Sequence, residues 1–207
     1  MALTERPPAP SLAATEGNER LTALTAVVLL ALLALEGVTI VWLRPLLSVH
    51  LFVGLMLIPP VALKLASTGY RFARYYTRNA DYRSKGPPPA LLRWTAPAVV
   101  LTTLVVLASG VWLLLAGPRS RDAVLPIHKV GFIVWLSFTS VHVLGHVSAL
   151  PRVALGEYAA PAPGRAWRAV ALTVALAVGV ALALTLVPDF HAWQVARLFH
   201  HHHHDHG

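Results

Sequence analysis

The sequence predicts an all-α integral membrane protein, folded as a bundle of five transmembrane helices. Of its 207 residues, 56% are hydrophobic, and the mean hydropathy is +0.61. Apolar runs of about 20 residues, the length that a helix needs to cross a bilayer, recur five times along the chain. Lys and Arg are concentrated in some connecting stretches and scarce in others, as membrane topology requires. The length suits one compact bundle without a separate soluble domain.

Composition also limits which cofactors the chain can bind and how the chain is divided into domains. It contains no cysteine, which excludes disulfides, iron–sulfur clusters and covalently attached haem. The formal net charge of +8 is explained by basic residues flanking membrane spans, so no nucleic-acid partner is expected. We divide the chain into a disordered cytoplasmic tail (1–20), a transmembrane bundle (21–188) and an outward-facing, histidine-rich C-terminal tail (189–207). The first apolar run is too long for the core of a cleavable signal.

The first helix is predicted from Leu21 to Leu43, and it ends at Arg44–Pro45. Its one charged side chain is Glu36, toward the far end. Because a carboxylate is costly at that depth, Glu36 is expected to be a neutral hydrogen-bonded acid, the partner of a neighbour, or part of a proton route.

The second helix is predicted from Leu46 to Ser67, with His50 at its start and a kink at the Pro-Pro pair 59–60. Lys64 follows His50 by fourteen residues. Two readings of Lys64 stay open. It extends its ammonium group to the membrane interface, or it is an unusual ligand or the partner of a cofactor's acidic group.

The connection 68–94 is basic and alternates Tyr with Arg, which the positive-inside rule and an aromatic belt explain without nucleic acid. The third helix, predicted over Thr95–Ala116, has no charge, and Ser109–Gly110 gives it a small surface for close packing. The fifth helix, predicted over Trp167–Val187, is nearly all Ala, Val and Leu and is expected to be a packing or lipid-facing element.

The fourth helix, predicted over Ile127–Leu150, carries three histidines: His128, His142 and His146. The fourteen residues between the first two place them about 40° apart around the helix and about 21 Å apart along it. Ionisable side chains within a span usually face the bundle interior and indicate a functional site. The alternative is that each histidine caps a helix end or hydrogen-bonds a neighbouring backbone.

The distribution of Lys and Arg predicts the orientation. The N-terminal tail and the connections 68–94 and 151–166 are expected in the cytoplasm, and the C-terminus outside. The second and fourth helices then both run inward, so that His50 and His128 lie at a similar depth near the outer surface. The expected location is the cytoplasmic (inner) membrane of the cell, with the multi-pass chain embedded in the lipid bilayer.

Two neutral imidazoles from neighbouring helices can fill both axial positions of a haem iron. Glycines about one turn from the histidines would leave room for the flat macrocycle: Gly54, Gly131 and Gly145. Basic residues at the same end would neutralise the haem propionates: Arg44, Arg121 and Lys129.

This pattern resembles the membrane b-type cytochromes, the cytochrome b561-like and formate dehydrogenase gamma-subunit-like group. The resemblance rests on His128 and His142 at fourteen-residue spacing with His50 on another helix, and it covers about residues 21–150. It implies a four-helix haem-binding core plus one extra helix. It also implies that His50 and His128 bind an outer haem b, and that His142 binds an inner one.

The chain departs from that group at the inner site. A family-like partner for His142 would stand where this chain has Lys64. The inner haem is therefore absent, held by His142 with Lys64, or held by His142 or His146 with another group. One outer haem b is expected, and the second is left open.

The function expected from these residues is electron transfer across the membrane, or between a quinone and a partner redox protein. The chain has no nicotinamide or flavin domain, so any second substrate comes from such a partner. Two alternatives stay open: a membrane metal-binding or metal-transport protein, and an accessory subunit of a larger complex. The C-terminal histidines, 200–204 and 206, read equally as an affinity-tag remnant or as a native metal-binding end.

Overall fold

The computed structural model describes residues 12–77, 90–145 and 164–202, and within these ranges the chain is helical with no β-strand. The helices are α1 Leu12–Val41, α2 Leu43–Tyr76, α3 Ala90–Ala116, α4 Arg121–Leu144, α5 Arg165–Thr185 and α6 Val187–His202. The first five are long and apolar enough to cross a membrane. The predicted fold class, an all-α bundle with five transmembrane helices, is confirmed.

The helix ends differ from the predicted ones. Helix α1 already begins at Leu12, so part of the stretch assigned to the N-terminal tail is helical, while residues 1–11 lie outside the described chain. Helix α4 begins at Arg121 instead of Ile127. Gly117 turns the chain with a φ of +70°, and a 3-10 turn at Pro118–Ser120 leads directly into the helix. The last five residues of the predicted fourth helix, 146–150, are outside the described ranges.

Helix α2 passes through its two prolines without leaving helical geometry. The backbone dihedrals depart from helical values at Leu46, with φ −105° and ψ 17°, close to the α1–α2 turn. Pro59 and Pro60 both lie inside the continuous helix. The kink predicted at these prolines therefore does not appear as a departure from helical dihedrals, and the departure at Leu46 was not predicted.

The bundle has two parts that meet at α2 and α3. Helix α2 packs extensively on α1 and α5, whereas α3 packs mainly on α4. Contacts between α2 and α3 are much sparser. We call the end of the bundle that holds the α1–α2 turn and the start of α6 the His50 end, and the opposite end the Lys64 end.

Helix α5 packs on α2 through a stripe of small residues. Ala175, Gly179 and Ala183 are buried and recur every four residues, which places them on one helix face. A Cβ at Gly179 would lie 2.5 Å from the carbonyl oxygen of Met56 on α2. Small residues let membrane helices approach closely and gain van der Waals contact. This helix was predicted to be a packing element or a lipid-facing element, and the face that carries these small residues is a packing face.

Helix α6 covers the His50 end, and all but its first two residues lie in the stretch predicted as a C-terminal tail (189–207). Its Phe190 is buried in a cluster with Leu55, Leu114 and Ala183. Its Gln194 Nε2 donates a hydrogen bond to Ser48 Oγ at 2.6 Å. The helix is thus fixed to α2 two residues before His50.

Candidate functional site

His50 is held by two side chains from α1. Its Nδ1 lies 2.9 Å from Glu36 Oε1 and 3.1 Å from Thr39 Oγ1. Thr39 is buried, and its hydroxyl donates to the Glu36 carbonyl oxygen at 2.6 Å. Glu36 and His50 come close together because α1 and α2 form a helical hairpin. Residues on either side of its tight turn at Trp42 face each other at similar depth. Glu36 thereby acquires a partner, which is one of the three roles that its position in the sequence allowed.

His128 is held by α3 in a different way. Its Nδ1 lies 3.0 Å from Ser109 Oγ and 3.1 Å from the carbonyl oxygen of Val106. A Cβ at Gly110 would lie 3.2 Å from Cε1 of the His128 ring, so glycine is what lets the imidazole approach α3 closely. The Ser109–Gly110 pair, predicted as a packing surface, packs against the histidine itself.

Both imidazoles use Nδ1 to contact the protein. Neither Nε2 is hydrogen-bonded to a residue within the described ranges, and neither is among the fully buried polar atoms that lack a partner there. Both histidines lie at the His50 end of the bundle, His50 near the start of α2 and His128 near the start of α4. A histidine that binds a metal through one ring nitrogen usually donates its other N–H to a carboxylate, a carbonyl or a water. His50 and His128 both meet that requirement.

The glycines predicted to make room for a macrocycle lie against protein atoms. A Cβ at Gly54 would lie 3.4 Å from Glu36 Oε1, and one at Gly131 would lie 3.2 Å from Val105 on α3. These two glycines therefore serve helix packing.

Two of the three basic residues predicted to bind propionates lie together. Arg121 and Lys129 line a surface cavity of about 500 Å³ on the first turns of α4, with Asp122 beside them. Arg44 lies in the first turn of α2 and is exposed. Arg44 is not among the residues that line this cavity.

At the Lys64 end the predicted inner ligands contact different helices. Lys64 Nζ donates to the carbonyl oxygen of Thr22 on α1 at 2.7 Å. The Nδ1 of His142 lies 3.4 Å from Thr95 Oγ1 on α3. The prediction for His146 falls outside the described residues. Lys64 thereby joins α2 to α1. Its two predicted roles, at the membrane interface or beside a cofactor, stay predictions.

Sequence reasoning missed Thr39, Ser109 and the Val106 carbonyl as partners of the two histidines. The contact between Glu36 and His50 could have been predicted, because the two residues are nearly equidistant along the chain from the α1–α2 turn. For His128 the signal was weaker. Small residues at Ser109–Gly110 permit close approach, but they do not indicate which neighbour approaches.

The fold and these contacts define a multi-span helical membrane protein with an imidazole pair at one end. Compared with known proteins, the chain matches no family model, no curated protein and no solved structure. The resemblance to the b-type cytochromes therefore stays a hypothesis that rests on the histidines themselves.

Proposed function

We propose that the protein is a membrane b-type cytochrome in which His50 and His128 would hold one haem. The proposal rests on the hydrogen bonds of the two rings. Each Nδ1 contacts a protein acceptor, whereas neither Nε2 is hydrogen-bonded to a residue within the described ranges. Such outer partners fix the tautomer and orientation of a ligating imidazole. Haem b suits the chain, since its sequence has no cysteine for covalent attachment.

The protein's own residues have distinct roles in this proposal. A bound haem would supply reversible one-electron oxidation and reduction at its iron. Glu36 and Thr39 orient His50, and Val106 with Ser109 orients His128. Arg121 and Lys129 provide positive charge at the same end. The surrounding apolar helices would keep water from the iron, which is one of the ways in which a protein tunes the potential of such a centre.

A lipid-soluble electron partner fits the side of the bundle. An open groove of about 720 Å³ runs between α2 and α3, and its lining is apolar apart from the indole nitrogen of Trp112. A quinone reaching the protein through the bilayer would meet this surface, and a partner redox protein would approach at the His50 end. We place the chain in the cytoplasmic membrane with its N-terminus inside and its C-terminus outside, which the basic connection 68–94 supports.

The metal-transport alternative is less well supported. Within the described ranges no three or more His, Cys, Asp or Glu residues cluster as a metal site would require. The bis-imidazole arrangement needs only two protein ligands, because a porphyrin supplies the other four.

The experiment that tests the proposed function combines spectroscopy with haem quantification. Protein purified in detergent should show a Soret band and, after reduction, a b-type alpha band. A pyridine haemochrome assay should return one haem per chain. In vesicles, a reduced quinone analogue should reduce the bound haem, and an oxidant on the other side of the membrane should reoxidise it. Stoichiometric metal without porphyrin would contradict the proposal.

Lys64 gives a prediction about the opposite end. Because its ammonium group is hydrogen-bonded to Thr22 on α1, we expect Lys64→Met to leave the haem content unchanged. Losing a hydrogen bond from a charged group should lower the free energy of unfolding by about 1.5–3 kcal/mol. Haem content and the thermal midpoint in detergent check the two parts separately. Loss of a haem from this variant would instead identify Lys64 as a ligand.

A further inference from the structure

The two histidines differ in what their Nδ1 atoms contact. On the α2 side the acceptor is a carboxylate oxygen, Glu36 Oε1, at 2.9 Å. On the α4 side the acceptors are neutral, the Val106 carbonyl and the Ser109 hydroxyl. Among the described residues the arrangement is therefore asymmetric, with a carboxyl oxygen against the His50 ring and neutral oxygens against the His128 ring.

The Glu36 side chain that contacts His50 is largely buried and enclosed by its neighbours. Its side chain is only 13% exposed, and that of His50 is 19% exposed. The Thr39 hydroxyl lies 3.3 Å from Glu36 Oε2, and a Cβ at Gly54 would lie 3.4 Å from Oε1, so the carboxyl group is enclosed on two further sides. Placing a carboxyl group at this depth is costly unless it is hydrogen-bonded or paired. The histidine contact supplies the main compensation visible here.

We propose that Glu36 is a positioning residue that lowers the reduction potential of the haem held by His50 and His128. This inference rests on the proposed function. A carboxylate that accepts the Nδ1–H bond makes the imidazole a stronger electron donor through Nε2. A stronger donor stabilises the more positively charged ferric iron over the ferrous iron. The Val106 and Ser109 acceptors have a weaker effect of the same kind, because they carry no charge.

The test is a redox titration of the bound haem in two matched variants. Glu36→Gln keeps the size of the side chain and an acceptor oxygen but removes the carboxylate. Ser109→Ala removes one neutral partner of His128 and leaves the Val106 carbonyl. Spectroelectrochemical midpoint potentials are measured for both variants and for the unaltered protein, with haem content measured in parallel.

We expect Glu36→Gln to raise the midpoint potential and Ser109→Ala to leave it nearly unchanged. If the substitution weakens ferric haem binding tenfold relative to ferrous binding, the potential rises by about 59 mV for one electron. A merely structural role for Glu36 would lower haem content or stability in both oxidation states without moving the potential. The midpoint potential of the haem therefore distinguishes an effect of Glu36 on the redox centre from an effect on folding.

The outcomes are distinguishable. A haem-loaded Glu36→Gln protein with an unchanged or lowered potential overturns the inference while the proposed function stands. An unaltered protein that binds no haem overturns both. If Glu36→Gln does not accumulate, Glu36→Asp is measured, because the shorter side chain stretches the contact with His50. Glu36→Asp should raise the potential above that of the unaltered protein, and no rise overturns the inference.

Discussion

Replacing His50 by Ala is expected to abolish haem binding. In the proposed function, the substitution removes one of the two side chains that would hold the haem, and it leaves the Glu36 carboxyl group without its 2.9 Å partner. Loss of an outer partner alone typically costs 10–100-fold in metal affinity, so loss of the ligand itself should cost at least about 100-fold. His128→Ala should have the same effect from the other side. Pyridine haemochrome quantification per chain measures both variants.

His191→Ala is the matched control for these substitutions. His191 is an exposed residue of α6, near the same end of the bundle. Its replacement should leave the haem content at that of the unaltered protein. If His50→Ala folds, shown by an unchanged helical circular dichroism spectrum, and still retains a full haem, then His50 is not a ligand.

Gly179→Leu should produce the largest loss of stability among the substitutions considered. Even a Cβ at this position would lie 2.5 Å from the Met56 carbonyl oxygen and 3.1 Å from its Cα. Because these are backbone atoms, the helices α2 and α5 must move apart to admit a side chain. Overpacking of this kind costs about 1–3 kcal/mol, and more where backbone must shift. The thermal midpoint of unfolding in detergent should fall accordingly.

Gly37→Ala controls for the loss of a glycine as such. Gly37 lies on α1 with no atom within 4 Å of an added Cβ. Alanine inside a helix should stabilise the chain by about 0.4–1 kcal/mol, because it reduces the freedom of the unfolded chain. If Gly179→Leu and Gly37→Ala left the thermal midpoint equally unaffected, the close α2–α5 contact would be wrong.

Much of the fold could be predicted from the sequence, because a membrane span is a long apolar run that is easily recognised. Long apolar runs placed the five spans, and the helix directions put His50 and His128 at one end, where the structure also has them. The ends of α1, α2 and α4 were harder. Residues such as Arg121 and Arg71 look polar in a hydropathy profile, yet the helices include them and thereby satisfy their own backbone hydrogen bonds.

The partners of the histidines could not be derived in the same way. Contacts such as those of His128 with Ser109 and Val106 depend on the rotation of one helix about its axis against another. An apolar span leaves that rotation undetermined, since many faces of a Leu- and Val-rich helix pack equally well in lipid. Helix α6 was missed for another reason: its histidines and Asp189 lower its hydropathy and hide Phe190, which anchors it.

Electron paramagnetic resonance of the oxidised protein tests the central claim most directly. If His50 and His128 bind opposite sides of one iron, the spectrum should show a single low-spin ferric haem with two imidazole ligands. That signal should amount to one spin per chain. It should disappear from His50→Ala and from His128→Ala, and persist in His142→Ala. A low-spin signal that survives the removal of both His50 and His128, or a purely high-spin signal in the unaltered protein, would contradict the claim.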